Sequence, residues 1–212
     1  TFSTLKSVLY QNTPLTHIHL SSIHFGVDNT NQPYIHLNDN DPYDKQFDFL
    51  WNELKVALHY GIKIHLMIGG AGGGYSTLFS DFETYYAMLY KLIDQKSDII
   101  SGVDLDIEEY VSLDNVKNLI KRLKEDFGNN LSISMAPIQS SLEYDESGLG
   151  GFCYKDLLQS QEGKMIDYFN GQFYGDYSLE AYDAVIKNGY LPEMVVMGCI
   201  AGNTDYNEID KV

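Results

Sequence analysis

The chain has 212 residues, 44% of them hydrophobic, and its formal net charge at pH 7 is −16. This length and apolar content suit one α/β domain with a single substantial core. The negative charge argues against a nucleic acid as partner, because binding a polyanion requires a basic surface. A run of about 18 apolar residues, as a transmembrane helix requires, does not occur in the sequence.

Segments with strand character alternate along the chain with segments of helical periodicity. Strands are predicted at 15–25, 62–70, 99–108, 131–137, 165–175 and 194–202. Helices are predicted at 47–60, 82–94, 113–127, 154–160 and 178–189. Repeated βα units imply a parallel sheet, and short strands with polar ends favour a (β/α)8 barrel over a doubly wound open sheet. Since a complete barrel has eight strands and six are recognisable, we expect an incomplete barrel in one domain, residues 1–212.

Three acidic residues alternate with aliphatic ones in the segment SGVDLDIEEY, residues 101–110. In a strand, Asp104, Asp106 and Glu108 share one face, with neighbours roughly 6.5 to 7 Å apart. The C-terminal ends of barrel strands point into the active site, so Glu108 would lie at its mouth. Like charges in a low dielectric cannot all stay ionised, and a shared proton would make Glu108 an acid that works near neutral pH. A solvent-facing edge strand and a Ca²⁺ or Mg²⁺ site are the alternatives.

The acidic segment resembles the DxxDxDxE signature of glycoside hydrolase family 18, the chitinases and their relatives. Asp104, Asp106 and Glu108 match its acids, and Ser101 stands at its first position. Other family-like segments follow in the same order, each on its own predicted strand, and their style is closest to the hevamine-like class III branch. They are THIH (16–19), KIHLMIGGAGGG (63–74), MAP (135–137) and QFYG (172–175).

This resemblance implies a glycosidase that hydrolyses β-1,4-linked N-acetylglucosamine polymers, chitin or chitooligosaccharides, by a substrate-assisted retaining mechanism. Glu108 would be the acid and later the base, and Asp106 would orient the acetamido N–H of the substrate. Asp104 would share a proton with Asp106, while Tyr174 would hydrogen-bond the acetamido oxygen. The resemblance implies further substrate-binding residues at Gln172, Met135 and Gly70. No metal or cofactor is expected, and we expect a secreted monomer.

Two other functions remain open. An endo-β-N-acetylglucosaminidase that cuts the chitobiose core of N-glycans shares the signature, and a catalytically inactive chitinase-like lectin or inhibitor belongs to another class. The sequence departs from the family pattern at Met67, Ser101 and Gly175. Family members carry a tryptophan at the end of the eighth strand, whereas Trp51 lies in a predicted helix, where a core role is expected. We therefore expect that the chain is truncated at one or both ends.

Several smaller features have a structural and a functional interpretation. His17 and His19 share a strand face, and interior hydrogen bonding is expected for them rather than metal binding. The sequence GGAGGG at 69–74 is expected to be a flexible loop that lets a sugar chain approach the backbone. Three tyrosines that follow predicted strand ends are candidates for stacking on sugars or are ordinary surface residues: Tyr75, Tyr144 and Tyr177.

Overall fold

The computed structural model describes residues 5, 9 and 14–200. Its strands are β1 His17–Val27, β2 Pro33–Leu37, β3 Lys63–Gly69, β4 Gly102–Asp106, β5 Ser132–Met135, β6 Tyr168–Gln172 and β7 Val195–Gly198. Its helices are α1 Asp48–His59, α2 Tyr75–Ser80, α3 Phe82–Gln95, α4 Leu113–Phe127, α5 Gln139–Glu143, α6 Tyr154–Leu158 and α7 Leu179–Lys187. Short 3-10 turns occur at Lys45–Phe47, Gly163–Met165 and Pro192–Met194. The strands pair in the order β2-β1-β3-β4-β5-β6-β7.

The first of two compact units comprises residues 1–104 and 130–132. In it β1 runs parallel to β3, with His19 opposite His65, and antiparallel to β2. The antiparallel strand β2 was not predicted. Its turn is held by the Asp28 carboxylate, which accepts hydrogen bonds from the backbone amides of Thr30 and Gln32. An Asp- and Asn-rich turn of this kind is a hairpin signal in the sequence.

Helix α1 of this unit buries its apolar residues at helical spacing, Trp51, Leu54 and Ala57. The Trp51 indole lies in the core, as predicted, and its N–H donates to the carbonyl of Pro42 at 3.3 Å. Tyr75 is also fully buried, and its hydroxyl donates to the carbonyl of Ile68 at 2.8 Å. A surface or sugar-stacking role for Tyr75 is therefore wrong, because the chain folds the start of α2 under the loop that precedes it.

The glycine-rich loop after β3 is a hydrogen-bonded turn rather than the flexible segment expected from its composition. The Gly73 amide donates to the Gly70 carbonyl, and the Gly73 carbonyl accepts from the Phe25 amide, both at 3.0 Å. A Cβ on Gly73 would lie 2.3 Å from the Cα of Gly69. Glycine is needed here because two backbone segments touch, so the loop position is set by packing.

The second compact unit comprises residues 105–129 and 133–212, of which those up to 200 are described. Here β6 runs parallel to β5 and to β7. Helix α4 begins after Ser112, whose hydroxyl accepts from the Asn115 amide at 3.2 Å, and ends at Gly128. Its buried residues recur at i, i+3, i+4 and i+7: Val116, Leu119, Ile120 and Leu123. Burial of each of these side chains contributes about 1.5 to 3 kcal/mol to stability.

Each predicted strand and helix has a counterpart, but the short helices α2 and α5 were not predicted. Strand β4 ends at Asp106, two residues earlier than expected. The segment 201–212, which includes the end of the last predicted strand, and nearly all of the region before residue 14 lie outside the described residues. Within the part of the chain that is described, no helix has the length and apolar character that crossing a membrane requires.

We expect Gly74→Ala to destabilise the chain more than Gly72→Ala. Both glycines have positive φ, 81° and 71°, so each alanine costs about 1 to 2 kcal/mol in backbone strain. At Gly74 the added Cβ would also lie 2.2 Å from the Phe25 carbonyl oxygen, whereas at Gly72 it would meet nothing within 4 Å. The clash should add about 1 to 3 kcal/mol, measured as free energy of unfolding in urea. Equal losses for the two variants would contradict this.

Candidate active site

The acidic strand β4 is buried along its whole length. Asp104 and Asp106 have relative exposures of 1% and 5%, and the residues between and around them are also buried. The alternative of a solvent-facing edge strand is therefore wrong. Glu108 lies two residues beyond the end of β4 and is partly exposed. The strand thus carries two buried carboxylates and leads to a third that solvent can reach.

Asp104 is paired with a histidine from β1. In the first unit, Nδ1 of His19 lies 3.0 Å from Oδ2 of Asp104, within ion-pair distance. A buried carboxylate is strongly disfavoured without a cationic or hydrogen-bonding partner, and a protonated imidazole supplies both. The structure thus places the ring of His19 against Asp104, while its interior hydrogen-bonding role stays a prediction.

Two further imidazoles, those of His17 and His65, lie beside this pair. The ring centroids of His17 and His65 are 5.1 Å apart, and so are those of His19 and His65. Burial, followed by the charges of Lys63 and His19, lowers the pKa of His17 below its usual value. Burial and neighbouring positive charge both disfavour the charged form of the His17 imidazole.

His65 was not identified from the sequence, although it is the register partner of His19 on the adjacent strand. A Cβ on Gly102 would lie only 2.6 Å from Nε2 of His65, so glycine at the start of β4 makes room for this ring. The described residues contain no group of three or more His, Cys, Asp or Glu side chains that could hold a metal ion.

Asp106 is held by an amide from β6. In the second unit, Nε2 of Gln172 donates to Oδ1 of Asp106 at 3.1 Å and to the carbonyl of Ala136 at 2.8 Å. The hydrogen bond to Ala136 fixes the orientation of the Gln172 amide, which therefore presents a fixed donor to the buried Asp106 carboxylate. The structure therefore brings together two of the residues predicted for the site, Asp106 and Gln172.

The other predicted site residues differ in exposure. Met135 is fully buried and pairs in register with Phe169. Tyr174 has an exposed side chain, and its carbonyl accepts from the Tyr177 hydroxyl at 3.2 Å. Gly70 is buried with a φ of 79°, in the turn that follows β3. A side chain at Gly175, where the family pattern has Asn, would meet nothing within 4 Å, so space does not explain this departure.

Comparison with known protein families identifies the family to which this chain belongs. The model of the family described as Glycosyl hydrolases family 18 matches residues 3–203. The chain belongs to glycosyl hydrolase family 18. A comparison with curated proteins found no match. The family 18 assignment confirms a glycoside hydrolase and the (β/α)8 barrel class, and the seven paired strands of the described residues fit an incomplete barrel.

Solved structures of a chitinase, an endo-β-N-acetylglucosaminidase and a chitinase-like agglutinin are similar to the chain. The chitinase ChiC from Aspergillus fumigatus shares 32% identity over 92% of this chain and 70% of its own length, with a TM-score of 0.83. A fungal endo-β-N-acetylglucosaminidase of family 18 shares 33% identity over 99% of this chain and 77% of its own length, with a TM-score of 0.85. The chitinase-like agglutinin from Robinia pseudoacacia shares 16% identity over 86% of this chain and 62% of its own, with a TM-score of 0.52, which is a likeness of fold.

We expect His19 and Asp104 to be energetically coupled. In a double-mutant cycle of His19→Gln and Asp104→Asn, either single change should destabilise the chain by more than it does when the partner is already replaced. The interaction energy should be about 1 to 3 kcal/mol, read from urea unfolding in mildly acidic buffer.

The exposed pair of Lys55 and Asp98 offers a matched control for this cycle. Its interaction energy should be about 0.2 to 1 kcal/mol, because solvent screens an exposed pair. Equal energies for the two pairs would mean that burial does not strengthen the contact of His19 with Asp104.

Proposed function

We propose that the chain hydrolyses β-1,4-linked N-acetylglucosamine polymers, chitin or chitooligosaccharides, as one catalytic domain over residues 1–212. The observation that supports this most is the state of the acidic strand. In a family 18 chain, β4 keeps Asp104 and Asp106 buried with polar partners and leads to a partly exposed Glu108. A solvent-accessible acid beside buried carboxylates suits proton transfer to a bound sugar. That the chain acts outside the cell as a monomer stays a prediction.

The proposed reaction has two steps. Glu108 gives its proton to the glycosidic oxygen as that bond to the anomeric carbon breaks, and the acetamido carbonyl oxygen of the same sugar bonds to that carbon. The product is a cyclic oxazolinium ion, and the leaving sugar departs as an alcohol. The Glu108 carboxylate then takes a proton from water, whose oxygen attacks the anomeric carbon and reopens the ring. Two inversions at one carbon retain its configuration.

The neighbouring residues would support the developing positive charge. Asp106 would accept a hydrogen bond from the acetamido N–H, and the amide of Gln172 limits where its carboxylate can point. Asp104, beside His19, would share a proton with Asp106. Tyr174 would hydrogen-bond the acetamido oxygen. Electrostatic groups held in place before the reaction are worth more than mobile ones, because they need no reorganisation during it.

An endo-β-N-acetylglucosaminidase acting on N-glycans is the second candidate. The likeness to the fungal endo-β-N-acetylglucosaminidase extends over nearly the whole chain, and this observation favours it. The same acids would cleave the linkage between the two N-acetylglucosamine units of the glycan core. A lectin or inhibitor is less well supported, because the chain retains both Glu108 and Asp106.

We expect Glu108→Gln to reduce turnover of fluorogenic chitobiose and chitotriose glycosides by at least ~10²-fold, as removal of a general acid should. Release of the fluorophore measures the rate. Glu109→Gln is a matched control, since it removes the adjacent acid and should stay close to the wild-type rate. A Glu108→Gln variant as active as wild type would contradict the role of Glu108.

A comparison of two substrates distinguishes the two candidate functions. We would incubate wild type with chitohexaose and with an N-glycosylated peptide, and identify the products by mass spectrometry. Cleavage of the hexamer favours the chitinase proposal, whereas release of the glycan with one N-acetylglucosamine left on the peptide favours the second candidate. A chain that cleaves neither of these nor the fluorogenic glycosides would contradict both.

A further inference from the structure

Tyr110 is the most exposed large apolar side chain among the described residues, with a relative exposure of 83%. It lies two residues after Glu108, in the segment that joins β4 to α4. Aromatic rings usually bury most of their surface, and an exposed ring at a defined place is more informative than an exposed aliphatic residue. Its place after the C-terminal end of a barrel strand is where such folds bind substrate.

The backbone supports the ring of Tyr110 from one side. A Cβ on Gly151 would lie 2.2 Å from Cδ2 of Tyr110 and 2.5 Å from Cε2, so the ring rests directly on the Gly151 backbone. The adjacent amide of Val111 donates to the carbonyl of Gly150 at 2.9 Å, which ties the two segments together. The ring is therefore held against the chain while most of its surface faces solvent.

Glycines also shape the loop beneath the ring. The Gly148 amide donates to the Phe152 carbonyl at 3.0 Å, and the Gly151 amide donates to the Gly148 carbonyl at 2.9 Å. Gly151 has a φ of 78°, and a Cβ on Gly150 would lie 2.6 Å from the Phe152 ring. A side chain at Gly150 would therefore clash with Phe152, and one at Gly151 would clash with the Tyr110 ring itself. The support is a hydrogen-bonded turn, which lowers the ordering cost of binding at the ring.

We propose that Tyr110 is a sugar-binding residue that stacks on an N-acetylglucosamine ring of the substrate next to the one undergoing attack. This proposal rests on the proposed function. A pyranose ring presents C–H groups on its faces, which an aromatic face covers, and hydroxyls at its rim, which stay in water. An exposed, supported ring two residues beyond the proposed acid fits the neighbouring unit of a linear β-linked chain. The exposed face of one tyrosine ring is much smaller than the roughly 800 Å² that each partner buries in a stable protein interface, so it suits one sugar ring rather than a protein partner.

Binding can be measured without turnover in the Glu108→Gln background, using chitohexaose and isothermal titration calorimetry. We expect Tyr110→Ala to weaken binding roughly tenfold, the loss of about one aromatic stacking contact. Tyr110→Phe should bind nearly as well as its parent because it keeps the ring. Tyr60→Ala is the control, since Tyr60 is also exposed, at 49%, but lies in the turn that precedes β3.

A second pair of variants moves the ring without removing it. Gly151→Ala places a Cβ against Tyr110, whereas Gly128→Ala places one where nothing lies within 4 Å. Both glycines have positive φ, 78° and 74°, so an alanine strains the backbone at either position. We expect Gly151→Ala to weaken chitohexaose binding and Gly128→Ala to leave it unchanged, with circular dichroism to check that both variants fold.

In the active chain, Tyr110→Ala should raise KM for chitohexaose with kcat within about twofold, because the contact is made equally before and during reaction. Unchanged binding and KM in Tyr110→Ala would overturn the role of Tyr110 while turnover by wild type still supported the hydrolase. If the parent bound no chitohexaose and wild type cleaved none, the proposed chitin substrate would fail and the role of Tyr110 would fail with it.

Discussion

Two carboxylates buried in one strand require polar partners, and this requirement determines much of the surrounding structure. Placing an unpaired carboxylate in an apolar interior is so costly that the group would neutralise instead. In this chain Asp104 has His19 at ion-pair distance, and Asp106 accepts a hydrogen bond from Gln172. Each partner comes from a strand distant in sequence. The buried carboxylates of β4 thus obtain their polar partners only when β1 and β6 are in place.

Glycine has a comparable role where segments meet at the strand ends. Gly102 admits the ring of His65 at the start of β4, and Gly74 admits the carbonyl of Phe25 at the turn before α2. Gly151 admits the ring of Tyr110 in the segment after β4. In all three cases a Cβ would lie under 3 Å from another heavy atom, so a larger residue would displace groups of the proposed site or its support. These close contacts therefore fix the position of His65 and of the Phe25 backbone within the first unit, and of the Tyr110 ring within the second.

Most of the regular structure could be predicted from the sequence, because helical and strand periodicities are local. The helix at Leu113–Phe127 matches the prediction at both ends, since Ser112 and Gly128 are strong local signals. The failures are short or contact-dependent. Strand β2 has only five residues, and Tyr75 is buried because a turn folds over it. Composition alone described the loop at 69–74 as flexible, whereas contacts with Phe25 hold it.

The sequence by itself determined that Asp104 and Asp106 share one face of β4, since side chains in a strand alternate with a period of two whatever the surroundings, whereas Glu108 lies beyond the end of the strand. It also carried the family signature, which lies within one short segment, residues 101–110. Only the tertiary structure decided which side chains contact those carboxylates. His19 lies 85 positions before Asp104, and Gln172 lies 66 positions after Asp106, so no local pattern links them. His65 and the support under Tyr110 were hidden for the same reason: they depend on contacts between segments that are far apart in the chain or joined by an irregular loop.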